Sequence, residues 1–332
     1  MASDASIRRD VAPVQLDEVD HRLIELLRLD GRASNRALAS AVGLTEVTVA
    51  TRIKRLAAND VIAMTAVIDW QAAGYEWFLT GHFQCDLRPP REVAGDLAAV
   101  PSCVAASIVF GEVDIVATFL LADRADMQRL VSHDLSLIKG AEAIALDVSV
   151  EQHKYQWSTA TFPVNPEPEL RFPNPVVDLD ELDHRLIAAL VRDSRQSNRE
   201  IGRQLGVSEG TIRLRLRRLT DAGLLRLTAV VDPVVLGTVT AVAFCFVQLD
   251  RADLADALTI LADLPQCWQL STIVGRFDVE MLLVCRDRQE LVDTVLGEVR
   301  TIPGVRRTTT MEVIEVPHHA YHWASFVSEK QP

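Results

Sequence analysis

LDEVDHRLIELLRLDGRASNRALASAVGLTEVTVATRIKRLAANDVI, residues 16–62, is a run of three short amphipathic segments, and it is written a second time from residue 179. Asp17 stands as an N-cap before Val19, Leu23, Leu26 and Leu27, whose spacing makes one apolar helical stripe. A second helix starts at Ser34, or at Ser197 in the repeat, where Glu200 completes a Ser-x-x-Glu capping box. It turns Leu38 and Val42 inward and stops at Gly43 or Gly206. Thr45 and Ser208 then cap a third helix that buries Val49, Ile53 and Leu56, matched by Ile212, Leu216 and Leu219. Two helices across a tight glycine turn make a helix-turn-helix. The blocks 16–69 and 179–232 are both expected to be helical.

The two blocks align without a gap from Leu16/Leu179 to Asp69/Asp232, and 24 of these 54 pairs are identical, so the chain is a duplication. Further on, Pro101 matches Pro265, Cys103 matches Cys267, and Gly111-Glu-Val-Asp114 matches Gly275-Arg-Phe-Asp278. Near the ends, HKYQW (153–157) meets HAYHW (319–323). Between the copies, residues 158–178 hold five prolines, which reads as a semi-rigid extended linker. Each copy divides again at Gly74 or Gly237. Past that point the period changes: Phe78–Leu87, Cys103–Phe110, Asp114–Leu121 and Glu142–Val150 read as strands, with helices over Arg91–Val100 and Arg124–Lys139. The order β-α-β-β-α-β is ferredoxin-like, and copy two repeats it from Ala241 to Val316. The expected fold class is α+β, two repeats of a winged helix-turn-helix followed by a ferredoxin-like domain. The expected layout is a tail over 1–15, a helix-turn-helix domain over 16–74, an α/β domain over 75–157 and the linker over 158–178. The second helix-turn-helix domain then covers 179–237, the second α/β domain 238–326, and a tail 327–332.

At 332 residues, 48% apolar and 24% charged, the chain has globular proportions, which excludes wholesale disorder. No apolar run reaches the length of a membrane span, and the N-terminus carries no apolar secretory core. Five cysteines form no CxxC pair, which points to reduced thiols and a cytoplasmic protein. The net charge of −12 argues against a nucleic-acid partner only when averaged over the chain. By segment, the helical blocks carry −1 and +2, and the α/β blocks −6 and −5.

Positive charge gathers on the third helix of each block: Arg52, Lys54 and Arg55 in copy one, and Arg213, Arg215, Arg217 and Arg218 in copy two. Such side chains suit the phosphates of double-stranded DNA. The face opposite the buried stripe presents Val47, Ala50, Thr51 and Lys54, or Gly210, Arg213, Leu214 and Arg217. With Thr45, Glu46, Thr48, Ser208, Glu209 and Thr211 at the N-terminal turns, these can reach base edges. An isolated basic face is ordinarily just solvated. Here it recurs on the third helix of a helix-turn-helix in both copies, which favours DNA contact. The two faces differ, so an asymmetric site, or dominance of copy two, is expected.

These residues resemble the N-terminal domain of the leucine-responsive/asparagine-regulator (Lrp/AsnC) group of transcription factors. The resemblance runs through Leu16-Asp17, Asp30-Gly31-Arg32, Ser34-Asn35 and Arg52-Ile53-x-Arg55-Leu56. In copy two it runs through Leu179-Asp180, Ser197-Asn198 and Arg215-Leu216-x-Arg218-Leu219. The α/β blocks are similar to that family's effector-binding, oligomerising domain. The resemblance implies a homo-oligomeric regulator that senses a small effector, commonly an amino acid. On this implication Gly111, Glu112 and Asp114, with Gly275, Arg276 and Asp278, are candidate effector-binding residues. The residues alone read as hairpin turns in which glycine supplies a positive φ. Glu112 opposite in charge to Arg276 implies that two such pockets select different ligands. The chain departs from the family in its tandem form, and in Asn59-Asp60 where copy two has Ala222-Gly223, so its first recognition helix should end less sharply.

No Ser/His/Asp order, phosphate loop or HExxH appears, so no catalytic residue is assigned and the chain reads as a non-enzyme without cofactor. His318-His319-x-x-His322 lacks acidic or cysteine partners for a metal and reads as a surface tail. Two alternatives stay open. One is a fused siroheme-decarboxylase-like enzyme of the same fold, disfavoured by the retained cations of the third helices. The other is a ligand-sensing module with a single working DNA-binding half.

Overall fold

The computed structural model describes residues 14–156, 158, 170–250 and 252–327. Most of the expected linker and tails lie outside the described residues. Copy one opens with α1 (Glu18–Leu29), α2 (Asn35–Val42) and α3 (Glu46–Ala58), followed by β1 (Ile62–Asp69). Its α/β part is β2 (Trp77–Cys85), α4 (Pro90–Ala98), β3 (Cys103–Phe110), β4 (Ile115–Leu121), α5 (Arg124–Arg129) and β5 (Ala141–Tyr155). Copy two repeats this as α6 (Glu181–Arg192), α7 (Asn198–Leu205), α8 (Glu209–Asp221) and β6 (Leu225–Val231). It continues with β7 (Ala241–Leu249), α9 (Leu254–Asp263), β8 (Cys267–Val274), β9 (Val279–Cys285), α10 (Arg288–Asp293) and β10 (Val305–His319), and adds β11 (Trp323–Ala324).

The caps are those the sequence dictates at Asp17, Ser34, Thr45, Ser197 and Ser208, each side chain accepting from a backbone N–H of the first turn. Reciprocal capping boxes form at Asp17–Asp20 and Asp180–Asp183. At Ser197 the hydroxyl accepts from the Glu200 amide, the first half of the expected box. Gly43 and Gly206 close the second helices at φ of 69° and 75°.

Several expectations are corrected. Residues 62–69 and 225–231 are strands, not helix, because their apolar β-branched residues are buried in a sheet shared by the copies. The segments after α5 and α10 leave α geometry, passing through a wide π turn into a 3₁₀ turn. The first recognition helix ends as sharply as the second: both have 13 residues. Asp60 adopts φ 54° where Gly223 adopts 73°. The His318–His322 segment is no surface tail. It leads from β10 into β11, and His322 is buried at 4% exposure.

The two helix-turn-helix units exchange strands. β1 pairs antiparallel with β6, from Ile62↔Val231 to Ile68↔Leu225, and β11 lies parallel on the other edge of β1. The copy-one core of Leu23, Leu27, Leu38, Val49 and Leu56 is completed by Ala229, Val231 and Val235 of copy two. The copy-two core of Leu186, Leu190, Ile201, Ile212 and Leu219 is completed by Ala66, Ile68 and Trp70 of copy one. Residues 170–178, the described end of the linker, dock here. Val176 N–H donates to the Ala72 carbonyl at 2.8 Å, and the Phe172 ring meets His184 at 5.3 Å.

The α/β parts have the ferredoxin-like order, β3-β4-β2-β5 and β8-β9-β7-β10, and the two sheets join into one closed eight-stranded barrel. β5 pairs with β8 (Val148↔Val274 to Tyr155↔Gln269), and β10 with β3 (Glu312↔Phe110 to His319↔Ala105). Leu79, Phe83 and Phe119 face the outer helix α4. Thr80, His82, Asp147 and Glu280 are buried with Phe246 on the inner side. The copies therefore pair within one chain.

Asp60 holds a left-handed conformation that costs an ordinary side chain about 1 kcal/mol. Asp60→Gly is expected to raise stability by about 0.5–1 kcal/mol, read as a higher urea midpoint at unchanged slope. An equal or lower midpoint would show that Asp60's own contacts outweigh the strain.

Candidate nucleic-acid interface and effector hairpins

α3 and α8 each have one side in the core and one in solvent. Val49, Ile53 and Leu56 are buried, as are Ile212 and Leu219, while Leu216 is half-buried. On the outer side, Val47 is 77% exposed and Leu214 71%, with Thr51, Lys54, Arg213 and Arg217 also exposed. Such apolar groups on a helix end suit contact with thymine methyls. The first turns are ordered locally: the Thr45 and Thr48 hydroxyls lie 2.9 Å apart, those of Ser208 and Thr211 2.8 Å, and Thr51 Oγ1 donates to the Val47 carbonyl. Glu46 and Glu209 stand exposed in those turns.

The basic residues fall into two groups. Arg52 Nη1 donates to Asp17 Oδ2 at 2.7 Å and to Asp20 Oδ1 at 2.8 Å, and Arg55 pairs with the other oxygen of Asp20. In copy two, Arg215 lies 2.6 Å from Asp180 and 2.9 Å from Asp183, with Arg218 also on Asp183. Asp20 and Asp183 are buried, so these pairs bolt the recognition helix to the first helix. The Asp20 backbone N–H and then Arg52 hold the Asp17 carboxyl below its usual range, and the two carboxylates raise Arg52. Arg52, Arg55, Arg215 and Arg218 thus act first in positioning. Lys54, Arg213 and Arg217 are the outward cations, Arg217 with a solvent-exposed partner, Asp221, at 3.3 Å.

A further pair of arginines, not singled out from the sequence for this role, couples the two readers. Arg32 donates to the Ser194 and Gln196 carbonyls and to Asn198 Oδ1, at 2.6–2.9 Å. Its equivalent, Arg195, donates to Asn35 Oδ1 at 2.9 Å. Desolvation lowers both guanidinium pKa values. Asn35 and Asn198 open α2 and α7, so each unit grips the other at the start of the first helix of its helix-turn-helix.

The hairpins β3–β4 and β8–β9 carry the six candidate effector residues, and the structure gives these residues intramolecular partners. Gly111 and Gly275 do not have positive φ. The physical reason for glycine is close approach: a Cβ at Gly111 would lie 2.9 Å from Met311, and one at Gly275 would overlap the Asp147 carboxylate at 1.8 Å. Asp114 accepts from Cys85 N–H at 2.7 Å, and Asp278 from Leu249 N–H at 2.8 Å, tying each turn to the neighbouring strand. Glu112 and Arg276 do not define two separate pockets. They pair with each other at 2.7 Å, and Arg307 holds the other oxygen of Glu112 at 2.7 Å.

Inside the barrel lies a polar cluster that the apolar strand pattern concealed. His82 Nε2 and Asp147 Oδ2 are 2.8 Å apart, Asp147 Oδ1 accepts from Arg276 N–H at 2.8 Å, and Thr80 Oγ1 donates to Glu280 Oε2 at 2.7 Å. Burial pushes the Glu280 carboxyl up to about 7, against the Thr80 hydrogen bond and with help from the charge of Asp147. All five cysteines are free thiols; desolvation raises Cys85 to about 11 and the other four to about 12, which makes them poor nucleophiles. His322 is pushed down to about 3 by burial. Among the described residues no three His, Cys, Asp or Glu side chains converge as a metal-ligand set, and no helix is long and apolar enough to cross a membrane.

Residues 16–57 and 179–220 each match the profile of the AsnC-type helix-turn-helix domain, and residues 242–321 that of the Lrp/AsnC ligand binding domain. An uncharacterised helix-turn-helix transcriptional regulator of Pyrococcus abyssi is 34% identical over 146 residues, 92% of that protein and 44% of this chain. The regulatory protein AsnC of Escherichia coli is 26% identical over 140 residues, 92% of its length and 42% of this chain. Each relative thus corresponds to about one copy. The siroheme decarboxylase NirDL superposes on 91% of this chain and 93% of its own with a TM-score of 0.63, at 14% identity, a likeness of fold alone.

Because Glu280 has a folded pKa above its ordinary 4.5, the fold favours the neutral acid. Stability from this group is present at low pH and is lost as pH rises from about 4.5 to about 7, by about 3 kcal/mol. Glu280→Gln is expected to remove that loss, so the variant gains on the parent protein between pH 5 and pH 8 in urea unfolding. A constant difference at the two pH values would overturn the assignment.

Proposed function

The chain belongs to the Lrp/AsnC family of helix-turn-helix transcriptional regulators, and we propose that it binds double-stranded DNA as a single-chain pseudo-dimer with two unlike readers. The observation that carries this reading is the division of labour on α3 and α8. Four arginines hold the helices to their own domains, while Val47, Thr51 and Lys54 on one, and Arg213, Leu214 and Arg217 on the other, point outward. Thr45, Glu46, Thr48, Ser208, Glu209 and Thr211 frame the helix ends that approach the bases. Arg52, Arg55, Arg215 and Arg218 contribute field and alignment. Two unlike readers at a fixed mutual position call for an asymmetric operator, since palindromic sites match identical readers.

A small effector completes the reading, an amino acid being the family's implication. The hairpins at Gly111, Glu112 and Asp114, and at Gly275, Arg276 and Asp278, are part of it as elements whose pairing an effector would shift, provided it binds one arrangement more tightly. Phe110 and Val274, equivalent residues beside those hairpins, are both 64% exposed, and we assign contacts between chains to them. The proposed role is regulatory, not catalytic, with no cofactor and a cytoplasmic setting.

The test is fluorescence anisotropy on genomic fragments, beginning with the chain's own upstream region, with competitor DNA and two salt concentrations. Binding is expected to fall steeply between about 50 and 200 mM salt. Arg213→Glu with Arg217→Glu should weaken it at least tenfold and flatten the log–log salt slope by about two. Lys54→Glu should cost clearly less. Equal losses would count against unequal readers, and no competitor-resistant binding at either salt would remove the DNA-binding reading.

A further inference from the structure

Below the three-stranded sheet of the readers, the mouth of the barrel holds a partly open cavity of about 130 Å³. Trp70, in the turn that follows β1, and Trp323 of β11 line it together with Phe78, Tyr155, Phe244 and Trp268 from the barrel. It therefore draws on both copies and both layers. Trp70 stacks near Phe78 at 5.0 Å between ring centroids and meets Tyr155 edge-on at 5.1 Å, so the aromatic wall is already organised. Among the described residues, no Asp, Glu, Lys or Arg lines it. Polar groups are few: Ser107, Thr118, Gln156, Gln269 and His319 bring hydrogen-bonding atoms to a mostly apolar surface. None of the six hairpin residues takes part.

We infer that this cavity is a binding site for an uncharged, single-ring molecule bearing one hydrogen-bonding group. Size sets the first limit. An apolar cavity of roughly 150 Å³ accepts benzene, so this slightly smaller one is sized for a single ring with at most a small substituent such as a hydroxyl, and for nothing as large as a tetrapyrrole. Charge sets the second. A free amino acid brings a carboxylate and an ammonium, and desolvating either without a counter-charge costs several kcal/mol. Aromatic walls set the third, through offset or edge-on ring contacts. An occupant touches Trp70 and Trp323, which pack in the same cluster as the core of the second reader, and so bridges the barrel to that reader. The inference concerns binding alone and does not rest on the DNA-binding reading.

Phenol and phenylalanine share a ring and differ in charge, so they separate the two ligand classes. The full chain, labelled with 5-fluorotryptophan, is titrated with each and followed by 19F NMR, the signals being assigned by single Trp→Phe variants. With phenol, the signals of Trp70, Trp268 and Trp323 are expected to move in a saturable way with a dissociation constant of about 1 mM or tighter, while that of Trp77, outside the cavity, stays. Phenylalanine is expected to leave all of them in place. Ser107→Phe, which fills the site, should weaken the phenol response at least tenfold. Gln269→Leu, which keeps the space and removes a polar partner, should weaken it less. Three results would overturn the inference: no saturable shift up to 10 mM, equal shifts from phenylalanine, or an undiminished response in a folded Ser107→Phe protein. Should that variant not fold, the contrast between Trp77 and the three lining tryptophans decides by itself.

Discussion

The closure of the barrel governs the molecule. A four-stranded ferredoxin-like sheet leaves two edge strands with unpaired backbone groups, an exposure that folded proteins blunt or cover. Here β3 and β5 of copy one meet β10 and β8 of copy two, and both joints close at once. The other features follow from this. β10 is held along β3 to His319, which places His322 and Trp323 where the Ile68 N–H can donate to the His322 carbonyl. The hairpins are brought face to face, so that Glu112 of one copy accepts from Arg276 of the other. The aromatic cavity exists only because the barrel has a mouth and the reader sheet covers it.

Joining both partners in one chain supplies each with the other at high effective concentration. It also frees the halves from being identical. Where copy one places Thr80, His82 and Asp147 inside the barrel, copy two places Phe244, Phe246 and Met311 at equivalent positions, and Glu280 stands where copy one has Val116. His82 packs against Phe246 at 4.9 Å across this divide. In a symmetric dimer each such choice would be made twice. Here the polar side chains of copy one face a mostly apolar half that carries the Glu280 carboxyl, to which Thr80 donates. That carboxyl is tolerated because burial raises its pKa to about 7, so that it is chiefly the neutral acid below that pH.

The readers show the same divergence on a shared frame. Arg32 and Arg195, with the β1–β6 ladder, fix the units against each other in a nearly symmetric way. Asp20 and Asp183 fix each recognition helix to its own unit. What differs is the outward face, which carries one cation, Lys54, beside Val47 and Thr51 in copy one and two cations, Arg213 and Arg217, beside Leu214 in copy two. A frame this closely tied transmits a change in one layer as a change of the whole, since packed interfaces shift between discrete arrangements more readily than they deform.

Read alone, the sequence determined whatever rests on local chemistry and period. The caps at Asp17, Ser34, Thr45, Ser197 and Ser208, the glycine stops at Gly43 and Gly206, the duplication and the β-α-β-β-α-β order are legible because the residues that cause them are neighbours in the chain. The tertiary structure alone decided what depends on distant partners. Ile62–Asp69 follows helices in the sequence and reads as more helix, but its partner strand begins at Leu225, more than 150 residues away. The carboxylates that Arg52 and Arg55 engage lie on another helix, so their positioning role leaves no mark in the sequence. Gly111 and Gly275 looked like turn glycines, while the reason for them sits on β10 and β5. The apolar alternation of β2 pointed to a core but not to which core, so His82 and Thr80 gave no sign of a buried cluster. A hydrogen bond or a close approach between residues far apart in sequence leaves no period to read, and only folding brings its two ends together.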